Sequence, residues 1–188
     1  MAKKSSKAKP IVTSSPLIVD GKIQVLYKPL YEDTIKPTFA HEGDACMDVF
    51  VHAILHLVQK DGKDEFADIG EDEIVIQPNH WAIFGLGFAL AVPEGYYMSK
   101  VPRSGLSMKR GLTIINSPTT VDAGYRAEVL IGIVNEGVEP QIIKKRDKIA
   151  QMLLKKLENW ELVDSDILLE SERGMNGIGS TGVSAKPQ

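Results

Sequence analysis

Short apolar stretches alternate with turn residues along most of the chain. They cover residues 23–27, 47–57, 73–76, 81–91, 96–101, 127–135 and 148–157, and glycine, proline, aspartate or asparagine separates them. Strands of this length between such turns are typical of an antiparallel sandwich or barrel. Apolar residues alternate at Ile74 and Ile76 and again at Val129, Ile131 and Ile133, so one face of each strand is predicted to lie in a core. The pattern therefore predicts an all-β fold.

One short helix and one polar insertion interrupt this pattern. The helix is predicted at Ser104–Arg110, about two turns long, because the segment follows Pro102 and opens with a serine that can cap it. Residues 59–72 are polar, rich in aspartate and glutamate, and interrupted by Gly62 and Gly70. We expect them to form a surface insertion between strands.

The length of 188 residues suits one domain with a tail at each end. Residues 1–16 carry four lysines and no acid, so residues 1–20 are predicted to be a disordered basic tail. A β domain is expected over residues 21–169. The glycine- and serine-rich end, residues 170–188, is expected to be a flexible arm.

Composition limits the classes of partner. The chain is 43% hydrophobic and 25% charged, as in globular proteins, and no apolar run approaches the ~20 residues that span a bilayer, so no membrane segment is expected. A net charge of -3 gives no general attraction to nucleic acid. Cys46, the single cysteine, cannot form an internal disulfide. This agrees with a reducing compartment, and the cytoplasm is the expected location.

Three segments carry residues suited to phosphate chemistry. Arg103 and Ser104 precede the predicted helix, where a guanidinium and unpaired N–H groups suit an anion; an ordinary helix start with a surface arginine is the alternative. Asp122 lies in a turn-rich segment between strands, where its carboxylate can either deprotonate water in a cleft or stabilise the turn. The glycine-rich stretch 173–182 contains one cation and two adjacent hydroxyls and can wrap phosphates or be a simple tail.

Taken in order, five segments resemble the five motifs of the trimeric dUTPase family. They are residues 43–49, 102–112, 116–129, 146–151 and 173–182, which read GDACMDV, PRSGLSMKRGL, NSPTTVDAGYRAEV, RDKIAQ and RGMNGIGSTG. Their order and spacing across nearly the whole folded chain make coincidence improbable. The resemblance implies a dUTPase-like jelly-roll or β-sandwich barrel with one short helix, assembled as a homotrimer whose active sites draw motifs from several subunits.

The resemblance also implies a reaction, the hydrolysis of dUTP to dUMP and pyrophosphate. Asp122 would activate the water that attacks the α-phosphorus, and Asp48 would hold, through water, a Mg²⁺ chelated by the triphosphate. Tyr125 would pack under the deoxyribose and leave no space for a 2′-hydroxyl. The other substrate-binding positions are implied to be Arg103, Ser104, Gly105 and Gln151 for the phosphates, Asn116 and Val121 in the hairpin that reads the base, and Arg173, Ile178, Gly179, Ser180 and Thr181 in the closing arm.

Three positions depart from the family pattern. Thr119 and Arg146 stand where the family usually has glycine, and Ile178 stands where it usually has an aromatic residue. Thr119 bears on base selection, and Arg146 adds a cation near the subunit junction. Ile178 removes a ring that would stack on uracil, so we expect weaker closure over the base but not loss of activity.

Three alternative functions stay open at this point. A dCTP deaminase shares the fold, but its chemistry needs a glutamate in the strand after the hairpin, and residues 129–135 contain none. A regulatory nucleotide-binding protein of the same fold is disfavoured by the presence of Asp122. A pyrophosphatase with a different base preference is left open by Thr119.

Overall fold

The computed structural model describes residues 18–171 and 174–175. Contacts divide the chain into two units at the junction of Glu158 and Asn159, and all sheets of the described residues lie in the first unit. In chain order the elements are β1 (Ile18–Val19), β2 (Lys22–Ile23), β3 (Leu26–Pro29), β4 (Met47–Phe50), β5 (Ala53–Lys60), β6 (Lys63–Asp68), β7 (Glu73–Ile76), β8 (Trp81–Ala91), β9 (Tyr96–Val101), α1 (Ser104–Arg110), β10 (Leu112–Ile114), β11 (Thr119–Val121), β12 (Glu128–Asn135), β13 (Gln141–Lys144) and β14 (Lys148–Lys156). Among these residues no helix is long and apolar enough to cross a membrane.

Two antiparallel sheets contain most of the strands. The first has the order β10-β12-β8-β5-β6, and β3 also pairs with β8; the second has the order β11-β9-β14-β4. Two smaller pairs, β1 with β2 and β7 with β13, complete the sheets of the described residues. The predicted all-β fold with one short helix is therefore confirmed.

Both large sheets contribute to one hydrophobic core. Phe88 of β8, Met98 of β9 and Met152 of β14 belong to the same cluster of buried side chains. In β12 every second side chain from Val129 to Ile133 is buried, as the alternating pattern predicted. Burying each such side chain stabilises the fold by about 1.5–3 kcal/mol relative to leaving it exposed. The core therefore joins the two sheets.

Gly87 allows β8 to change partner along one edge. Residues before it pair with β5, and residues after it pair with β3. Its φ of 75° is in the left-handed region, and a Cβ atom there would lie 2.7 Å from Cγ of His52. Its carbonyl accepts hydrogen bonds from the N–H of Leu30 and the hydroxyl of Thr34. A side chain at this position would therefore meet both strain and collision.

Most predicted elements agree with the structure, but residues 47–57 do not form one strand. They divide into β4 and β5, which belong to different sheets. At the division, the N–H of Val51 donates to Asp147 and the N–H of His52 donates to Gly85, so the backbone changes partner within two residues. Apolar residues continue on both sides of His52 at this point, so the sequence pattern gave no clear signal of the division.

The polar insertion also contains regular structure that was not predicted. Residues 59–72 include the end of β5 and all of β6, which pair as a hairpin. Asp61 and Gly62 form its turn with φ values of 51° and 74°. Positive φ at both central residues is typical of the tight turn that Asp-Gly favours. The hairpin lies on the surface, so this segment, expected as a surface insertion between strands, itself contains a strand.

Candidate functional site

Strand β9 leads directly into α1, with Arg103 as the residue between them. The carbonyl of Arg103 accepts the N–H of Ser107 at 3.0 Å, so the helix begins at Ser104. The expectation that Ser104 caps the helix was therefore wrong, and Arg103 makes no side-chain cap either. The N–H groups of Ser104 and Gly105 have no acceptor within the described part of the chain. These two donors are free to bind a ligand.

Asp48 is the centre of a polar cluster formed by adjacent strands. Its side chain, in β4, is buried, with a relative exposure of 2% for the residue. Its Oδ1 accepts from Nε of Arg103 and from Nε2 of Gln151, each at 3.1 Å, and its Oδ2 lies 2.8 Å from Nζ of Lys148. Gln151 and Lys148 are on β14, which lies between β4 and β9. The sheet order thus brings three distant motifs together.

The partners of Asp48 keep it ionised. Burial raises the pKa of this carboxyl, but hydrogen bonds from Lys148 and Gln151 and the charge of Arg103 outweigh that effect and lower its pKa below the usual value. Arg103 is held in turn, because its Nη1 donates to the carbonyl of Lys148 at 3.2 Å. Its Nη2 has no partner among the residues described, so part of the guanidinium is available to an anion.

The segment that contains Asp122 connects the two sheets. Before it, β11 pairs with β9; after it, β12 pairs with β8. Asp122 is exposed, and its carbonyl accepts the N–H of Tyr125 at 3.0 Å, which closes a turn. The hydroxyl of Tyr125 donates to the carbonyl of Glu128 at 2.7 Å. Burial and the charge of Glu128 raise the pKa of Tyr125, so the phenol stays protonated at neutral pH. The turn and the hydroxyl contact hold Tyr125 at both its backbone and its phenol.

Glu128 corrects one expectation about this region. Strand β12 begins at Glu128, so the strand after the hairpin does contain a glutamate. Its Oε1 accepts the N–H of Gly87 at 2.7 Å and lies 2.6 Å from the position of a Cβ atom on Gly85. The carboxylate is therefore bound to the backbone of β8.

A slot opens between β11 and β12 because these strands belong to different sheets. Among the described residues β11 pairs only with β9. Strand β10 covers the edge of β12 only as far as Gly132, whose carbonyl accepts the N–H of Ile115. We call this opening, with a volume of about 140 Å³, the hairpin slot. Its lining residues are Lys100, Thr120, Val121, Tyr125, Val129 and Leu130. Asn116 lies at the far end of β11 and donates to the hydroxyl of Thr119 at 3.3 Å.

The Asp48 cluster and Asp122 lie toward opposite ends of β9. In the β11–β9 ladder Thr119 pairs with Lys100 and Val121 with Met98, so Asp122 lies toward the start of β9. Arg103 follows its other end. At about 3.3 Å per residue, Met98 and Arg103 are separated by roughly 16 Å. One chain therefore gathers Asp48, Arg103 and Gln151 but does not bring Asp122 to them.

The remaining predicted residues fall into two groups. Val121 is buried in the core and also lines the hairpin slot. It can therefore contact a ligand only as part of the wall of that slot. The arm residues lie outside the described part of the chain: Arg173, Ile178, Gly179, Ser180 and Thr181.

Sequence reasoning missed two lysines in these sites. Lys148 lies within the fourth matched segment, yet only the structure shows that it pairs with Asp48. Lys100 follows Ser99 in a mainly apolar strand and lies two residues after the buried Met98. This spacing places both side chains on the same face of β9 and is the one signal that could have identified it.

Comparison with known proteins gives consistent results. The family model described as dUTPase matches residues 70–182. A deoxyuridine 5′-triphosphate nucleotidohydrolase of Caulobacter vibrioides is 40% identical over 143 residues, which is 76% of this chain and 90% of that protein. The corresponding protein of Thermobifida fusca is 34% identical over 165 residues, or 87% of this chain and 82% of its own.

A solved structure shows the same fold. A mutant dUTPase of Staphylococcus bacteriophage 80alpha with dUpNHpp superimposes with a TM-score of 0.68 at 24% identity and covers 85% of this chain and 99% of its own. The fold, the five motifs in order and the relatives at 34–40% identity agree. This chain belongs to the dUTPase family.

Proposed function

We propose that this protein hydrolyses dUTP to dUMP and pyrophosphate, with Asp122 as the general base. Family membership supports the reaction. The single observation that supports the site best is the convergence of Arg103 and Gln151 on Asp48, because Gln151 and Asp48 are 103 positions apart and still share a 3.1 Å hydrogen bond. A surface arginine at an ordinary helix start would have no buried carboxylate to hold it.

The phosphate chain binds beside the Asp48 cluster. Arg103 offers Nη2, and the helix start offers the free N–H groups of Ser104 and Gly105. Gln151 donates to Asp48 in this structure and has a second amide hydrogen for a phosphate oxygen. Arg173, Ser180 and Thr181 of the arm complete the enclosure at the γ-phosphate.

The reaction needs one proton acceptor and one nucleophilic water. Asp122 takes a proton from water, and the water oxygen forms a bond to the α-phosphorus. The bond from that phosphorus to the bridging oxygen then breaks, and the electron pair leaves with pyrophosphate. Asp122 suits this role because its carboxylate is exposed and its position is fixed by the turn to Tyr125.

The hairpin slot receives the pyrimidine. Its two walls are strand edges that no other strand of the described residues pairs with, so their backbone groups can donate to and accept from the edge of a base. Asn116 and Val121 are at this edge, and Ile178 of the arm covers the base. Tyr125 lies beside Asp122, so its ring packs under the deoxyribose and excludes a 2′-hydroxyl.

Asp48 is the residue that would hold a Mg²⁺ ion, through water, when the triphosphate binds. The described residues contain no group of three or more histidine, cysteine, aspartate or glutamate side chains that could hold a metal by themselves. Asp48 is ionised and carries hard oxygen atoms, which suits one water-mediated contact to an ion that the phosphates chelate. When bound, Mg²⁺ neutralises charge on the phosphates.

The complete site requires more than one chain, and we propose a homotrimer. Asp122 lies toward the start of β9 and Arg103 follows its end. Met98, the ladder partner of Val121, is separated from Arg103 by roughly 16 Å at strand spacing. A triphosphate bound to Arg103 of one subunit can meet Asp122 only if a second subunit supplies it.

One panel of substrates tests the proposed reaction. The protein is incubated with each of the four dNTPs and four NTPs and Mg²⁺, and monophosphate, pyrophosphate and ammonia are measured separately. We expect dUMP and pyrophosphate from dUTP and little product from UTP. Ammonia from dCTP would indicate a deaminase, whereas tight binding of dUTP without turnover would indicate a regulatory protein. Faster turnover of another dNTP would show an altered base preference, which Thr119 in the hairpin leaves open.

A further inference from the structure

Lys100 is a buried cation at the hairpin slot. It extends from β9 with a relative exposure of 6%, and it lines the slot together with Tyr125 and Leu130. Its Nζ donates to the carbonyl of Leu130 at 2.7 Å. Since alternate carbonyls of a strand face the same edge, the Leu130 carbonyl faces the edge of β12 that β10 leaves after Gly132. Lys100 thus reaches the open edge of β12 from the other sheet.

The ammonium group of Lys100 has more hydrogen-bond donors than it has acceptors among the described residues. It carries three hydrogens, and among the described residues it has one acceptor, the Leu130 carbonyl. No carboxylate among residues 18–171 and 174–175 pairs with it. Burial lowers the pKa of Lys100 to about 8, so it is mostly charged at neutral pH despite its surroundings. A buried charge with so few partners is costly, and a ligand oxygen would relieve the cost.

Lys100 lies on the side of the site proposed to bind the base, not on the side proposed to bind the phosphates. Lys100 pairs across the ladder with Thr119, and directly paired residues project from the same face of a sheet. Thr119 is the first residue of the strand that forms one wall of the slot. The phosphate donors, by contrast, follow the end of β9 at Arg103.

We propose that Lys100 donates a hydrogen bond to the exocyclic oxygen at C4 of the pyrimidine and thereby selects uracil over cytosine. This inference rests on the proposed function, in which the hairpin slot receives the base. Uracil has a carbonyl oxygen at C4, and cytosine has an amino group there. An ammonium attracts the oxygen, whereas it repels the hydrogens of the amino group and leaves its own donors without a partner. Sites that leave a buried polar group unpaired discriminate strongly between such analogues.

The test compares Lys100→Met with Lys100→Gln. Methionine keeps the length of the side chain without donors, and glutamine keeps a neutral donor. For each variant, kcat and KM are measured with dUTP and dCTP, and binding is measured with non-hydrolysable analogues of both. We expect Lys100→Met to reduce the dUTP to dCTP ratio of kcat/KM by about 10- to 100-fold, mainly through KM for dUTP. Lys100→Gln should recover part of this ratio. Lys155→Met, an exposed lysine on β14, is the control and should leave the ratio unchanged.

The two proposals fail in different ways. A wild-type protein that does not hydrolyse dUTP contradicts the proposed function, while the binding ratios of the analogues still test Lys100. If the wild-type protein hydrolyses dUTP but the Lys100→Met variant keeps the same preference for dUTP over dCTP, only the role of Lys100 is contradicted. If Lys100→Met does not fold, the Lys100→Gln variant provides the test. The inference is overturned if Lys100→Gln prefers dUTP over dCTP as strongly as the wild type does, in both turnover and binding.

Discussion

The turn that contains Asp122 is closed by a backbone hydrogen bond and does not depend on the Asp122 carboxylate. The carbonyl of Asp122 accepts from Tyr125, so Asp122→Asn should leave the turn and the nearby ring in place. An amide cannot take the proton from water, so we expect kcat to fall by a factor of about 10² to 10⁴ with little change in the Kd of a non-hydrolysable dUTP analogue. Asp61→Asn, at the tip of the β5–β6 hairpin, is the matched control for steady-state kinetics and calorimetry. A variant with the kcat of the wild type would remove Asp122 from the mechanism.

Lys100 also gives the protein a characteristic dependence of stability on pH. Burial lowers its pKa to about 8, while in the unfolded chain it regains its usual value of 10.5. Between these values the unfolded state binds more protons, so Lys100 makes the free energy of unfolding rise with pH. At about 1.4 kcal/mol per pKa unit, the full change is on the order of 3 kcal/mol. Tyr125, the titratable neighbour in the slot, has a raised pKa and stays neutral through the lower part of this range.

The Lys100→Met variant isolates this contribution. We subtract the free energy of unfolding of the wild type from that of the variant. We expect this difference to be largest near pH 7 and to decrease as the pH rises from 8 toward 10.5. Denaturant titrations at a fixed protein concentration measure it, and fixing the concentration removes the effect of assembly. A difference that is constant with pH would show that Lys100 titrates at the same pH in both states.

Among the elements, the turn between β13 and β14 contains a strained residue. Arg146 has a φ of 72°, and its N–H donates to the carbonyl of Val51 at 2.8 Å, which holds the turn against the point where β4 and β5 divide. The geometry explains why glycine is usual in the family at this position. The left-handed conformation costs a residue with a Cβ atom about 1–2 kcal/mol.

A pair of variants measures this strain. The side chain of Arg146 is exposed, so its removal loses little packing. We expect Arg146→Gly to be more stable than Arg146→Ala by about 1 kcal/mol, because alanine keeps the strained conformation and glycine relieves it. The comparison uses denaturant unfolding of both variants. Equal stabilities would mean that the turn relaxes to another conformation when arginine is removed.

The elements also show what a sequence can and cannot reveal. Strands β7, β8 and β9 were predicted with their observed bounds because each is an apolar stretch between turn residues, and helix α1 because it follows Pro102. Strands β10 and β11 have three residues each, too few for a period to be detected. The division between β4 and β5 depends on hydrogen bonds to residues far along the chain, which no local pattern encodes.

The site shows the same limit. Asp48, Arg103 and Gln151 were identified from their motifs, and the structure shows that their side chains meet. The resemblance implied that active sites draw motifs from several subunits, but which residues are apart within one chain follows from the direction in which β11 pairs with β9. Lys100 was missed because a lysine in a strand is usually exposed, and its hydrogen-bond partner Leu130 is 30 positions away in the chain.

At the scale of the whole molecule, we expect a homotrimer with a mass three times the 20.6 kDa of the chain. Light scattering gives the mass, and mixing two inactive variants tests whether sites are shared. Chains with Asp122→Asn retain Arg103, and chains with Arg103→Met retain Asp122. Mixed trimers should contain some sites with both residues intact and should recover part of the activity. A fully active monomer, or mixtures no more active than the separate variants, would contradict shared sites.

The Asp48 cluster has a further consequence for how substrate arrives. Arg103 and Lys148 carry two positive charges and Asp48 one negative charge, so the cluster is locally positive on a chain whose net charge is -3. A polyanion approaching through solution is attracted only within about 8–10 Å at ordinary ionic strength, since beyond that distance counterions screen the field. Adding monovalent salt should therefore slow the encounter and lower kcat/KM, while kcat at saturation changes much less. Stopped-flow binding at several salt concentrations would show this as a falling association rate, and a rate independent of salt would mean that the distant negative charges cancel the local attraction.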